Sequence, residues 1–254
     1  MIDPGQMVAR DVDRMLVSDL DGTLLGDEEA LERFAEWRER HRDSVALAYA
    51  SGRFYASVVD AMQETALPGP DAIVGGVGTE IHDYPSGKEI PGWHEEIGQH
   101  WDARRVREVL SPHDELELQP EKWQSDYKVS YFLEDAHPDQ LDTLENELKK
   151  HDIDSQVIYS SNRDLDFLPA TASKGSAAAY LAKHWGIAAE NVIASGDSGN
   201  DHTLMQQGFR GIVVANAQPE LKSISGPHIY HAQNGYAAGV LEGIEYWWRE
   251  DEPD

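Results

Sequence analysis

The chain has no cysteine among its 254 residues. That absence excludes a disulfide framework, thiolate metal ligation and a cysteine nucleophile. No apolar run approaches the roughly 20 residues that a membrane-spanning helix needs. The N-terminus, MIDPGQMVARDVDR, lacks the apolar stretch of a secretory signal. A soluble, cytoplasmic protein is therefore expected. Positive charge is also scarce. Lys and Arg total 21 against 47 for Asp and Glu, a formal net charge of −26. A field of that sign repels duplex nucleic acid and anionic membrane, so neither is expected as a partner. Two accounts of the acidity stay open: solvated helix faces, or adaptation to a salty cytoplasm, which 8 lysines against 13 arginines favours. Any bound phosphate has to be held by local devices, such as a metal, backbone N–H groups or one placed lysine.

Apolar residues are not scarce. They make up 40% of the chain, enough for a core in one large domain or two modest ones. Residues 15–18 (MLVS) read as a buried strand that stops at Asp19. Leu31, Phe34, Ala35 and Trp37 mark an amphipathic helix. Residues 45–50 (VALAYA) form a second buried strand, followed by a helix through Tyr55, Val58, Val59 and Met62. Residues 72–74 give a third strand, and 79–83 with 88–91 read as a hairpin around Pro85-Ser86-Gly87. Strand and helix alternate again late in the chain. Helices are expected over 174–185, 201–207 and 236–249, with strands over 192–194 and 212–215. This alternation predicts an α/β fold, a Rossmann-like parallel sheet covered on both faces. The middle differs. Strands at 127–133, 155–159 and 165–168 alternate with helices at 104–110 and 138–150. That pattern predicts a small α+β insert, so the expected domains are 1–90 with 169–254 and, between them, 91–168.

In open parallel sheets, ligands bind beyond the carboxyl ends of the strands. Three segments fall there. Asp19-Leu20-Asp21-Gly22-Thr23 brings two carboxylates out of the first strand into a glycine turn. One can bind a metal and attack an electrophile; the other can move a proton. An EF-hand is excluded, because Gly22 stands at loop position 4 and Ala30 fills the position of the bidentate Glu. Gly196-Asp197-Ser198-Gly199-Asn200-Asp201 adds two more acids after a late strand. Oxygen ligands without a His or Cys cluster suit Mg²⁺. Ser51-Gly52-Arg53 offers a hydroxyl and N–H groups at a helix start, an anion site or simply an N-cap. Lys174 opens a helix and supplies a cation, unless it is merely solvated. Other motifs fail: Gly76-Val77-Gly78 has Ile81 where a dinucleotide fingerprint needs a third glycine, and His94-Glu95 begins no zinc-protease motif.

Taken in order, DLDGT, Ser51-Gly52, Lys174 and GDSGND resemble the four motifs of the haloacid dehalogenase superfamily of phosphotransferases. The insert looks like that superfamily's C2-type cap. LVSDLDGTLLGD, AYASGR, VGTEI, KVSY, LDFLPATASKG and ANAQPEL further resemble its sucrose-phosphatase family, over residues 15 to 243. One departure is Gly22, where sucrose phosphatases often carry Asn; Gly is usual across the superfamily. The resemblance implies a Mg²⁺-dependent phosphatase acting on a sugar phosphate, sucrose-6-phosphate first among them. Asp19 would be the nucleophile and Asp21 the general acid and base. Ser51 and the Gly52 N–H would hold phosphoryl oxygens, and Lys174 would neutralise both nucleophile and phosphate. Asp19, the Asp21 carbonyl, Asp197 and Asp201 would hold the metal.

The cap is expected to choose the substrate. It offers Lys128, Tyr131, Asn162, Arg163 and Asp166, with Trp93, Trp101 and Trp123 as flat platforms. Glu80 is expected to face the same cleft, and Lys128, Asp166 and Glu80 are the favoured sugar ligands. Other readings keep the same residues. The substrate could be glucosylglycerol phosphate, or a mannosyl- or glucosyl-phosphoglycerate. The chain could be a phosphomutase, or a non-catalytic partner of a glycosyltransferase such as a sucrose-phosphate synthase. A monomer is expected.

Overall fold

The protein is described by a computed structural model covering residues 12–160 and 162–249. Its contacts divide it into two compact units. One runs through Ile90 and resumes at Ser173; the other is Pro91–Ala172.

The first unit begins with β1 (Arg14–Ser18), α1 (Glu28–Arg40), β2 (Val45–Ala50), α2 (Tyr55–Glu64), β3 (Ala72–Gly75) and β4 (Glu80–Asp83). The second unit contains α3 (Trp93–Ile97), α4 (Ala103–Leu110), β5 (Glu117–Leu118), β6 (Val129–Phe132), α5 (Pro138–Lys150), β7 (Ser155–Ser160) and β8 (Asp164–Pro169). The first unit then continues with α6 (Lys174–His184), β9 (Val192–Gly196), α7 (His202–Met205), β10 (Arg210–Val213), α8 (Pro219–Lys222), β11 (Ile229–His231) and α9 (Tyr236–Arg249).

The first unit's sheet has the order β11-β10-β9-β1-β2-β3-β4. Every pairing is parallel except β3 with β4. All six residues of β2 are buried, as an apolar run should be when helices cover both sheet faces. Helix ends follow local chemistry. The Asp27 side chain accepts the Ala30 N–H at α1, with Glu28 and Glu29 in the first turn and Arg38 and Arg40 in the last. Ser173 and Ser176 form a reciprocal capping box at the start of α6. From β1 the chain steps outward to β2 and β3, then returns to place β9, β10 and β11 on the other side of β1. The order reverses at β1, which puts the ligand crevice beyond β1, β2 and β9.

Some elements escape the apolar pattern. β11 has three residues, none of them buried, and lies at the sheet edge. α8 is a single turn after Pro219. The hairpin expected at 79–91 is only partly formed: β4 pairs with β3, and residues 88–90 meet β4 through one bridge, His82 with Glu89. The expected helix at 201–207 is a short 3₁₀ turn followed by α7.

In the second unit, an antiparallel sheet of order β5-β6-β8-β7 packs one face on α4 and α5. Leu165 and Phe167 alternate with Asp164 and Asp166, so the apolar set faces the helices. Pro169 still pairs with Ser155, and the Ala172 N–H donates to the Pro169 carbonyl at 2.9 Å. The chain therefore crosses back between Ala172 and Ser173, a few residues beyond the expected 168/169. Among the described residues, no helix is long and apolar enough to cross a membrane.

Candidate active site

Strand register alone assembles the first part of the site. Ser18, at the end of β1, pairs with Tyr49 of β2 and with Ser195 of β9. Asp19 is the next residue, and its N–H donates to the Ser195 carbonyl at 3.0 Å. Ser51 and Asp197 leave the two neighbouring strands, each roughly 4.8 Å away.

Lys174, on the first turn of α6, points into this group. Its Nζ donates to Asp19 Oδ1 at 2.7 Å, Asp201 Oδ1 at 2.7 Å and Asn200 Oδ1 at 2.9 Å, and its side chain is 1% exposed. Asp201 Oδ2 accepts the N–H groups of Asp197 at 3.0 Å and Ser198 at 3.1 Å. Thr23 Oγ1 donates to Asp197 Oδ1 at 3.3 Å. One oxygen each from Asp19, Asp197 and Asp201 lies within 4.8 Å of the others. Gly22 sits against this cluster with φ of +86°; a Cβ there would stand 2.5 Å from Asp197 Oδ2. Only glycine allows that turn to press so close.

The charges do not cancel. Three buried carboxylates face one ammonium. Burial pushes the Asp19 carboxyl up to about 7, against the pull of Lys174. Burial, and then the charge of Asp201, raises Asp197 as well. Burial alone would lower Lys174, but Asp19 and Asp201 outweigh it and keep the amine charged. Asp19 Oδ2 is buried without a hydrogen-bond partner. An excess of two negative charges, an all-oxygen donor set and a bare carboxylate oxygen fit a hard divalent cation. Asp19, Asp197 and Asp201 are the residues that could hold it.

Asp21 stands apart from this cluster. Its side chain is 53% exposed and forms a bidentate pair with Arg53, Nε to Oδ2 at 2.8 Å and Nη2 to Oδ1 at 2.6 Å. That bond raises the Arg53 pKa further above its ordinary value. Ser51 is buried, and its Oγ accepts the Arg53 N–H at 3.1 Å. The Ser51 carbonyl accepts the Val77 N–H at 3.0 Å, and the Arg53 carbonyl accepts that of Gly76 at 2.9 Å. The 51–53 turn is thus pinned by the 76–77 turn. Ser51 is not a helix N-cap, because α2 begins three residues past Gly52.

The start of α2 explains Glu80. Phe54 at the cap position offers no side-chain acceptor, and Glu80 Oε1 takes the Tyr55 N–H at 2.5 Å instead. Glu80 Oε2 lies 3.4 Å from His82 Nε2, whose ring packs on Tyr55. The carboxylate expected to face a sugar is thus occupied as a helix cap. In the second unit, Lys128 and Asp166 lie together: Lys128 Nζ is 3.0 Å from Asp166 Oδ2, and Ser130 Oγ donates to Asp166 Oδ1 at 2.6 Å. Trp93 is 3% exposed and so does not offer the flat platform expected of it, and Tyr131, expected as a polar ligand, is buried in the apolar core of the second unit; their burial corrects both expectations. Trp101 donates its ring N–H to the Asp126 carbonyl, Trp123 is 39% exposed, and the Arg163 guanidinium lies over Phe132. Thr23, Arg53 and Asn200 fell inside the quoted motifs but carried no assigned role. Their roles emerge only as contacts.

The family model for sucrose-6F-phosphate phosphohydrolase matches residues 12–248. The mannosylfructose-phosphate phosphatase of Agrobacterium fabrum is 36% identical over 239 residues, covering 92% of this chain and 96% of that one. Sucrose-phosphatase 2 of Nicotiana tabacum is 36% identical over 246 residues, covering 91% of this chain but 58% of the tobacco protein. The chain therefore spans nearly all of the bacterial relative and about three fifths of the plant one. The crystal structure of the Synechocystis sucrose-phosphatase, in complex with sucrose and phosphate, superposes with a TM-score of 0.85 at 35% identity, covering 93% of this chain and 98% of that one. A haloacid dehalogenase-like hydrolase from Bacillus subtilis shares the fold at 18% identity and a TM-score of 0.70.

Proposed function

The chain belongs to the sucrose-6F-phosphate phosphohydrolase family of phosphoric monoester hydrolases, and from that premise we propose that it is a Mg²⁺-dependent phosphatase of sucrose-6-phosphate. The observation that carries this reading is the buried cluster of Asp19, Asp197 and Asp201 around Lys174, where the strand order reverses.

The chemistry follows from these groups. Mg²⁺ would be held by Asp19, Asp197, Asp201 and the Asp21 carbonyl, and would supply the positive charge that a phosphoryl dianion requires. An Asp19 carboxylate oxygen attacks phosphorus, the P–O bond to the sugar breaks, and an aspartyl-phosphate forms. Asp21 gives a proton to the leaving sugar oxygen, then takes one from the water that releases phosphate. Ser51 and the Gly52 N–H bind phosphoryl oxygens, while Lys174 holds Asp19 in line. For Asp21 to reach the leaving oxygen, its pair with Arg53 has to open. The unit Pro91–Ala172 carries sugar specificity, with Lys128 and Asp166 as hydroxyl ligands; Glu80 serves the site by anchoring α2. The enzyme works as a cytoplasmic monomer on the product of a glycosyltransferase such as a sucrose-phosphate synthase.

One observation favours a second substrate. The Agrobacterium relative, whose match covers 92% of this chain and 96% of its own length, is a mannosylfructose-phosphate phosphatase. Sucrose-6-phosphate, mannosylfructose phosphate, glucosylglycerol phosphate and the glycosyl-phosphoglycerates should be ranked by kcat/KM with Mg²⁺ present. Sucrose-6-phosphate is expected to lead, and equally weak turnover of all of them would refute the assignment. Asp19→Asn should lower turnover by roughly 10⁴-fold or more while the fold survives; substantial activity in a homogeneous variant would remove Asp19 as nucleophile.

A further inference from the structure

The segment that leaves β10 touches both loops of the carboxylate cluster. The Asn216 side chain donates from Nδ2 to the Gly22 carbonyl at 2.7 Å, and its Oδ1 accepts the Tyr236 N–H at 2.8 Å. Two residues on, the Gln218 N–H donates to the Asp197 carbonyl at 2.6 Å. The segment is itself tied down: the Ala215 N–H donates to the Asn234 carbonyl and the Ala217 N–H to the Val214 carbonyl, each at 3.0 Å. Residues 216–218 therefore grip the turn after Asp19 with a side chain and the Asp197 loop with the backbone.

The surroundings are shaped for an amide at this position. A Cβ on Gly235 would stand 2.8 Å from Asn216 Oδ1, and a Cβ on Gly26 would run into the Tyr236 ring. Tyr236 has φ of +52°, a backbone state that L residues rarely adopt, and the Asn216 bond secures its N–H. A side chain here has to donate to one loop and accept from another. Asn does both at this reach; Asp only accepts, and Ser is shorter.

We infer that Asn216 is a positioning residue for the cation and phosphoryl site, holding the Gly22 turn so that Asp19 and Asp197 keep their spacing. The inference rests on the proposed phosphatase reading for its kinetic consequence and on geometry alone for its effect on cation binding. Asn216→Asp is the informative variant. It keeps an acceptor for Tyr236 and loses the donor to Gly22. Its added carboxylate would by charge alone tighten Mg²⁺, so weakened binding reports the lost bond.

The experiment measures three quantities on the full chain: the melting temperature without metal, the Kd for Mg²⁺ alone by calorimetry, and steady-state rates with sucrose-6-phosphate and p-nitrophenyl phosphate. The Mg²⁺ Kd should rise about 10- to 100-fold in Asn216→Asp, as for other residues that orient metal ligands. kcat should fall about 10²-fold with both substrates, with KM little changed. A lowered melting temperature with unchanged Mg²⁺ affinity would show a merely structural residue and overturn the inference. Asn216→Ala removes both bonds and should weaken Mg²⁺ at least as much; if it fails to fold, Asn216→Asp decides. Weakened Mg²⁺ binding together with a wild type that hydrolyses no phosphate ester would sustain the inference and sink the phosphatase reading. A wild type that binds no Mg²⁺ would overturn both.

Discussion

Replacing Lys174 with methionine keeps most of the buried volume and removes the one ammonium that faces Asp19 and Asp201. Three hydrogen bonds of 2.7–2.9 Å are lost at a side chain that is 1% exposed. Two carboxylates are left without their counter-charge in a dry site. Removing one partner of a buried ion pair costs about 3–5 kcal/mol. At about 2–4 °C per kcal/mol for a chain of this size, the melting temperature of metal-free Lys174→Met should fall by roughly 10 °C. The deficit should depend on pH. Burial already holds the folded-state pKa of Asp19 above its unfolded value, and losing the lysine's pull raises it further. The folded state then binds more protons than the unfolded state, so the variant loses stability as pH rises and recovers it as pH falls. Asp19 already lies near 7 with the lysine in place, so the gap to wild type should be widest above pH 7 and narrow toward pH 5. Mg²⁺ should narrow it too, by restoring positive charge. Thermal melts of both proteins at pH 5, 6, 7 and 8, with and without Mg²⁺, check this. A deficit insensitive to both pH and Mg²⁺ would mean that Lys174 acts through packing alone, and the electrostatic account of the cluster would fail.

Glu80→Gln should destabilise the chain by about 1 kcal/mol, because it weakens the cap at α2, and should leave KM for the sugar phosphate unchanged; a rise in KM with unchanged stability would return Glu80 to the substrate. Gly22→Ala forces an L side chain into φ of +86° and onto Asp197, so it should cost more than 1 kcal/mol and weaken Mg²⁺ binding; wild-type Mg²⁺ affinity would refute the close packing. His113 lies 2.9 Å from Glu147 and 3.2 Å from Glu115; burial works to lower its pKa, and bonds to the two carboxylates outweigh that and raise it. Its stabilising contribution is full below its unfolded pKa and fades as pH rises through the folded one. His113→Gln should therefore cost about 0.5 kcal/mol at pH 5.5 and almost nothing at pH 9, read from denaturant melts; a cost that grows with pH would reverse the sign.

The three segments that follow β1, β2 and β9 were legible because each is written locally. An apolar run that ends abruptly in acids, a hydroxyl or glycines marks the carboxyl end of a strand, and parallel sheets gather those ends in one place. The excess of acid over base was equally plain, since it needs only counting. Composition and order thus determined the fold class, the insert, the acid cluster and its demand for a cation. Direction and pairing were another matter. Trp93 looked like a sugar platform and Tyr131 like a polar sugar ligand until packing buried them. Glu80 looked like a ligand until the bare N-terminus of α2 claimed it, because Phe54 cannot cap a helix. Asp21 accepts from Nε and Nη2 of Arg53, and Asn216 reaches Gly22, 194 residues away in the chain. A hydrogen bond is set by ångström distances and angles that only the folded backbone supplies. The residues able to do the chemistry were named by the sequence; which of them face each other was decided by the tertiary structure, since a side chain's partner is fixed by proximity in space.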